Sequence, residues 1–97
     1  MPTWTTTSRF ERDYESLTPQ EKQRFFAAVQ RFVEDLEAGR PFRPGLRVRK
    51  IQGTDDIYEM TWAPDGRATF QFGEEIKPGE VHVIWRRVGT HDVFKGP

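Results

Sequence analysis

The chain has 97 residues, which is enough for one compact domain and too few for two, so we expect residues 1–97 to form a single domain. It contains no cysteine, which excludes disulfides, thiolate chemistry and cysteine-based metal sites and is typical of a reducing compartment. Fifteen basic and fifteen acidic residues give a net charge of zero, which argues against a protein that binds nucleic acid through its overall charge.

Membrane and export signals are not evident in the sequence. No apolar stretch approaches the ~20 residues that a membrane span needs. The first residues, Met1 to Trp4, lack the basic and apolar segments of a signal peptide. We therefore expect a cytosolic protein that does not associate with a membrane.

The first half of the sequence predicts a short strand and two helices. Thr3 to Thr7 are rich in β-branched residues, which favours a strand. Ser8 is the predicted cap of a short helix that runs to about Leu17. A second helix is predicted from Pro19 to Ala38, where the apolar residues recur at helical spacing: Phe25, Phe26, Val29, Phe32, Val33 and Leu36. Its ends carry a Thr18–Glu21 capping box and a terminating Gly39.

The second half predicts strands separated by turns. The segment 40–45 contains two prolines and a glycine and excludes regular structure. Alternating basic and apolar residues from Leu46 to Gln52 favour a strand. Residues 57–62 and 67–72 are predicted to form a hairpin around Pro64-Asp65-Gly66, and a turn at Lys77-Pro78-Gly79 precedes the last strand. Val81 to Val88 are apolar on both faces, as expected of a central strand.

This order of elements predicts an α+β fold, in which a helical hairpin packs on one face of a twisted, mostly antiparallel sheet. Basic residues concentrate near the start of the sheet and again in the last strand. Because no acid interrupts the first of these clusters, it is a candidate phosphate-binding surface, with an ordinary solvated strand face as the alternative. The two clusters contain Arg40, Arg43, Arg47, Arg49 and Lys50, and Arg86 and Arg87.

Known catalytic and metal-binding motifs are absent. There is no phosphate-binding glycine loop, no zinc-protease motif and no recognisable serine nucleophile. The two histidines, His82 and His91, show no spacing typical of a metal site. We therefore expect no metal and no cofactor.

The segment that follows the last strand holds the most informative residues. His91 is the only side chain there that exchanges protons near neutral pH. Arg87 can bind a phosphate by two parallel hydrogen bonds, and Phe94 offers a ring on which a base can stack. A cation, an imidazole and an aromatic ring suffice for RNA cleavage by the ribose 2′-hydroxyl. The alternatives are structural: His91 at the sheet end and Phe94 in the core.

Two stretches resemble the RelE/ParE toxin superfamily. The run from Arg87 to Phe94 resembles the R-x-G-[ST]-H-x-x-[LF] ending of RelE- and YafQ-like members. The stretch from Leu46 to Gly53, followed by Ile57 to Met60, resembles the entry to their hairpin. The resemblance covers roughly residues 44–94.

This resemblance implies a toxin that cleaves mRNA in the ribosomal A site and is neutralised by a small cognate antitoxin, with DNA contacted only through the antitoxin complex. It assigns Arg87 to transition-state stabilisation, His91 to proton transfer and Arg67 to a second phosphate contact. Substrate binding falls to an aromatic residue and to basic residues of the two clusters: Phe94, Arg47, Arg49, Lys50 and Arg86.

Some family features are missing. Glu59 and Thr61 stand where some RelE members carry two lysines, and the middle strands lack the extra histidines of YafQ-like members. Two alternatives therefore stay open, a ParE-like inhibitor of gyrase and a non-enzymatic module that binds an antitoxin. Glu59 is the only candidate for the second proton-transfer group. Strand alternation predicts that only one of Arg86 and Arg87 faces the RNA.

Overall fold

The computed structural model, which describes residues 1–97, contains two helices and a five-stranded sheet. The helices are α1 (Ser8–Glu15) and α2 (Pro19–Ala38). Two short 3-10 helices span Pro44–Leu46 and His91–Lys95. Neither α1 nor α2 combines the length and the apolar character needed to cross a bilayer. The strands are β1 (Thr3–Thr6), β2 (Arg49–Lys50), β3 (Tyr58–Thr61), β4 (Arg67–Gly73) and β5 (His82–Gly89).

The sheet has the strand order β1-β5-β4-β3-β2. Three of its neighbouring pairs are antiparallel, and β1 runs parallel to β5, with Thr3 opposite His82 and Thr6 opposite Trp85. A parallel pair is possible there because the connection between the two strands contains both helices and three strands. The predicted α+β class with a mostly antiparallel sheet is confirmed, and β5 lies inside the sheet as its apolar sequence predicted.

Aromatic side chains from the helices and the sheet form the core. From α2, Phe25 and Phe32 approach the Trp85 ring with centroid distances of 5.7 and 5.4 Å. Phe32 also lies 5.0 Å from Phe70, and their edge-to-face geometry is one that aromatic pairs prefer. Phe26, the remaining phenylalanine of the apolar stripe on α2, is 61% exposed because it lies one position around the helix from buried Phe25.

The ends of the helices differ little from the prediction. Thr7 caps α1 in place of Ser8, since its Oγ1 accepts a hydrogen bond from the Phe10 amide at 3.1 Å. The capping box of α2 is present: the Glu21 amide donates to Thr18 Oγ1 at 3.1 Å, and Glu21 Oε1 accepts from the Thr18 amide at 2.8 Å. Gly39 ends α2 in the left-handed conformation, with φ of 66°.

The strand predicted from Leu46 to Gln52 is wrong over its first part. Leu46 belongs to a 3-10 helix that begins at Pro44, and its side chain is buried in the core. Arg47 follows with φ of 47°, a left-handed conformation that interrupts an extended chain. Only Arg49 and Lys50 pair with β3.

A buried carboxylate near the end of α2 was not predicted. Asp35 is 1% exposed, and its oxygens accept hydrogen bonds from the Arg43 guanidinium and amide at 2.9 Å and from Arg40 Nε at 3.0 Å. The bonds from Arg43, with that from Arg40, hold the pKa of Asp35 well below its usual value. Two residues of the first basic cluster therefore fasten the chain that leaves α2.

Replacing Asp35 by Asn should lower the thermal midpoint of unfolding by on the order of 10 °C, because two arginines lose their carboxylate. Since the pKa of Asp35 is depressed in the folded state, the unfolded chain takes up the proton first as pH falls. The stabilisation is then fully present above about pH 4 and is lost progressively as pH falls from there towards the depressed pKa of the folded state.

Thermal unfolding followed by circular dichroism at pH 7 and at pH 3 checks this prediction. Glu34→Gln is the matched control, because Glu34 is the exposed neighbouring carboxylate and contacts Arg43 only at 3.3 Å. We expect the control to unfold close to the wild type, and Asp35→Asn to lose less stability on acidification. If the thermal midpoints of wild type and Asp35→Asn fall by the same amount between pH 7 and pH 3, this carboxylate is not the source of the pH dependence.

Candidate functional site

The 3-10 helix His91–Lys95 places His91 and Phe94 at the end of β5. Thr90 caps this helix, and its Oγ1 accepts a hydrogen bond from the Asp92 amide at 3.4 Å. Val93 anchors the helix, since it is only 2% exposed. The His91 side chain is 56% exposed and is therefore open to a ligand from solvent.

A carboxylate holds the imidazole of His91. Its Nδ1 lies 2.5 Å from Asp65 Oδ1, and its ring meets that of Phe94 edge-to-face with centroids 5.9 Å apart. A carboxylate at Nδ1 fixes the tautomer in which that nitrogen carries the proton, so Nε2 is left to accept one. The structure thus brings two predicted site residues together and adds Asp65, which the sequence indicated only as a turn residue.

The register of the sheet explains this contact. Arg67 on β4 lies opposite Gly89 on β5. Continuing the same antiparallel register by two residues brings Asp65 opposite His91. The pairing of the last two strands, which was not predicted in register, is the signal that would have identified Asp65.

A β-bulge brings Arg86 and Arg87 to the same segment, the C-terminal residues Gly96 and Pro97. Thr69 pairs with Arg87 and Phe70 with Trp85, so Arg86 is the additional residue. Arg86 Nε donates to the Pro97 carbonyl oxygen at 3.0 Å, and Arg87 Nη1 donates to that of Gly96 at 2.9 Å. The prediction that the two arginines serve opposite faces is wrong, because the bulge interrupts the alternation.

Arg87 is already engaged by protein groups. Its Nε donates to Asp13 Oδ2 at 2.6 Å and its Nη2 to Asp13 Oδ1 at 3.3 Å, and only 14% of its side chain is exposed. With the bond to Gly96, three of its five N–H groups have acceptors. A phosphate would have to share this guanidinium with Asp13 or displace Gly96. The role of Arg87 in catalysis stays a prediction.

Arg67 supports the turn that carries Asp65. It is 8% exposed, and its Nη1 donates to the carbonyl oxygens of Gly66 at 2.9 Å and of Ala63 and Pro64 at 3.3 Å. These bonds account for the burial of its charge and give it a positioning role for Asp65. Its contact with a phosphate stays a prediction.

The other predicted basic residues lie away from His91. Arg49 and Lys50 are on the edge strand β2, which three strand spacings, roughly 14 Å, separate from β5. Arg49 Nε contacts Glu59 Oε1 at 3.3 Å. Glu59 is therefore paired within the sheet and does not lie beside His91. Arg47, exposed in the segment before β2, completes the set of predicted residues.

The remaining histidine has a structural position. His82 is 5% exposed, and its ring nitrogens lie 2.8 Å from Thr3 Oγ1 and 3.2 Å from Thr5 Oγ1. These contacts join β1 to β5. No three side chains among the histidines, aspartates and glutamates gather in a way that could hold a metal ion.

Comparison with known proteins identifies the fold. No protein-family model and no curated protein matches the chain. Solved structures match over almost the whole chain. YafQ from E. coli strain BL21(DE3) has a TM-score of 0.67 at 12% identity, covering 99% of this chain and 100% of its own. The RelB–RelE antitoxin–toxin complex of Methanococcus jannaschii gives 0.60 at 14% identity and 94% of both chains.

The intact RelBE toxin–antitoxin complex of E. coli gives a TM-score of 0.59 at 19% identity, covering 93% of this chain and 96% of that chain. Identities this low establish the fold and not the activity. The resemblance of residues 44–94 is thus extended to the helices and the first strand. The chain has the fold of the RelE and YafQ toxins, as its likeness to the RelE/ParE superfamily predicted.

Proposed function

We propose that the chain is the toxin of a type II toxin–antitoxin system and that it cleaves mRNA on the ribosome, in the cytoplasm. The observation that carries this proposal is the His91–Asp65 pair with Phe94 beside it, at the end of β5. The fold supports it, because the RelE structures that the chain resembles are toxins in complex with antitoxins.

The proposed reaction is attack of a ribose 2′-hydroxyl on the adjacent phosphorus. The 2′-oxygen loses its proton and bonds to phosphorus, while the bond to the 5′-oxygen breaks and that oxygen gains a proton. The products are a 2′,3′-cyclic phosphate and a 5′-hydroxyl, and no metal ion takes part. His91 Nε2 carries out one proton transfer, oriented by Asp65, and Phe94 stacks on a base.

The cation for the developing charge comes from the arginine pair. Arg86 and Arg87 already bind two carbonyl oxygens of the tail, and a phosphate offers oxygens to the same N–H groups. The second proton-transfer group is not evident near His91, because Glu59 is paired with Arg49. We propose that the ribosome orients the message and supplies that group, which makes activity ribosome-dependent.

Replacing His91 by Ala should reduce mRNA cleavage by about 10²–10⁴-fold, the usual cost of losing a general acid or base. The fold should be retained, since the His91 side chain is 56% exposed and its hydrogen-bond partner Asp65 is itself 70% exposed. Lys95→Ala on the same 3-10 helix is the control, because Lys95 is exposed and has only a 3.6 Å contact with Asp92.

Induced expression followed by primer extension on a reporter mRNA measures this cleavage, and a DNA-damage reporter runs beside it. We expect cut message and no DNA damage. Full toxicity of His91→Ala contradicts the mechanism. Broken DNA with intact message identifies a gyrase-directed toxin, and growth without arrest identifies a module that only binds its partner.

Asp65→Asn should give a loss between wild type and His91→Ala, because the amide keeps the turn but no longer fixes the imidazole. In a His91→Ala background the same change should have no further effect, since Asp65 acts through His91. Primer extension on wild type, Asp65→Asn, His91→Ala and the double variant provides the measurement. Additive losses would show that Asp65 has a separate role.

The antitoxin is the proposed protein partner. An apolar groove of about 570 Å³ lies between β1 and the two helices, and its walls include Trp4 and Phe26, which are 67% and 61% exposed. Large exposed aromatic side chains beside a groove are typical of a site for an amphipathic helix. Arg40 and Arg43 are less suited to contact the antitoxin, because both already bind Asp35.

Phe26→Ser should weaken antitoxin binding by more than about 10-fold, as loss of an aromatic anchor does, and should leave toxicity intact. Gln23→Ala, an exposed polar change on α2 outside the groove, is the control. Titration calorimetry with the product of a neighbouring small open reading frame measures both. Unchanged affinity of Phe26→Ser would place the antitoxin elsewhere on the toxin.

A further inference from the structure

A second groove carries positive charge that the proposed reaction does not use. It lies between α2, the segment 43–47 and the turn between β3 and β4, and it measures about 530 Å³. We call it the basic groove. Its walls include four arginines and no acidic residue, although the chain as a whole is neutral: Arg31, Arg43, Arg47 and Arg67.

Two of these arginines are free to bind a ligand. Arg43 is held by Asp35, and Arg67 by carbonyl oxygens of the turn. Arg31 and Arg47 are exposed, and no carboxylate lies within 4.0 Å of either guanidinium. An arginine presents a planar set of five N–H donors that suits a phosphate, so two free arginines in one groove form a potential anion site.

Thr61, a residue that lines the same groove, carries an unpartnered hydroxyl. Thr61 Oγ1 is buried and is the one buried side-chain polar atom without a hydrogen-bond partner. A buried polar group of this kind costs stability unless something binds it. A phosphate oxygen accepts a hydrogen bond from such a hydroxyl. This observation is independent of the arginines, and the hydroxyl hydrogen is available to an anion in the groove.

The groove adjoins the candidate catalytic residue. Pro64 lines the groove, and the next residue, Asp65, holds His91. One turn therefore contributes to both places, and consecutive Cα atoms are only about 3.8 Å apart. An RNA strand that is cut at His91 runs past this shared turn, which favours RNA over an acidic peptide as the occupant of the groove.

We propose that the basic groove binds a phosphodiester group of the RNA next to the one that is cut, through Arg31, Arg47 and the Thr61 hydroxyl. The proposal rests on the proposed function, because it assumes that RNA is the substrate at His91. It adds Arg31 and Thr61 to the residues that contact substrate, and it gives Arg47 a position apart from Arg49 and Lys50.

Salt dependence of RNA binding tests the proposal without any cleavage. The probe is a short single-stranded RNA with 2′-O-methyl groups, followed by fluorescence anisotropy at increasing salt. Each phosphate contact adds about 0.7 to the slope of log affinity against log salt. The slope for the Arg31→Gln, Arg47→Gln double variant should therefore be smaller by about 1.4. Arg12→Gln, an exposed arginine of α1 outside the groove, should change it little.

Thr61→Val provides a second readout. It should weaken RNA binding several-fold and leave the thermal midpoint equal or higher, since it removes a hydroxyl that has no partner in the free protein. Both arginine substitutions should leave the fold intact, because neither guanidinium has a protein partner.

Several results would overturn the proposal. The double variant could keep the wild-type slope of log affinity against log salt, or the wild-type protein could fail to bind the RNA at low salt. The groove could also bind an acidic peptide in place of RNA. Failure of the proposed function is separate, because it is read from toxicity of His91→Ala. If His91→Ala is fully toxic and the double arginine variant still shows the expected smaller salt dependence, the groove binds RNA but the proposed mechanism at His91 is wrong.

Discussion

The hydrogen bonds between β4 and β5 position most of the candidate site. Their register puts Arg67 opposite Gly89 and so brings the preceding turn, with Asp65, to His91. The same pairing contains the bulge that turns Arg86 and Arg87 towards one stretch of tail. Because side chains alternate along a strand, a shift of one residue would separate the pair and move the arginines to other faces.

Several charged residues that the sequence suggested as phosphate ligands stabilise the fold. Arg43 and Arg40 bind the buried Asp35, and Arg67 binds the turn that it follows. Such contacts compensate the desolvation of these groups and fix the segments that carry them. The first basic cluster thus divides into residues that secure the chain after α2 and residues that remain free, such as Arg47.

Local signals predicted the elements well, and contacts distant in sequence were not predictable. The capping box at Thr18 and the terminator Gly39 defined α2, since both act through the nearest backbone groups. Periodicity gave no indication that Asp35 is buried, because its partners belong to the following segment. The left-handed Arg47 and the bulge at Arg86 likewise interrupt the alternation of side chains along the strand, and no residue pattern nearby in the sequence predicts either. His91 and Phe94 were found by motif, whereas Asp65 required the register.

The parallel pairing of β1 with β5 has a consequence for how the chain folds during synthesis. Thr3 and His82 lie 79 residues apart in the sequence, yet their side chains are hydrogen-bonded. Loop closure over such a separation slows folding, and β1 is made first while its partner is made last. The complete sheet cannot assemble while β5 is still inside the ribosomal exit tunnel. The nascent chain therefore completes its sheet only after β5 has left the exit tunnel.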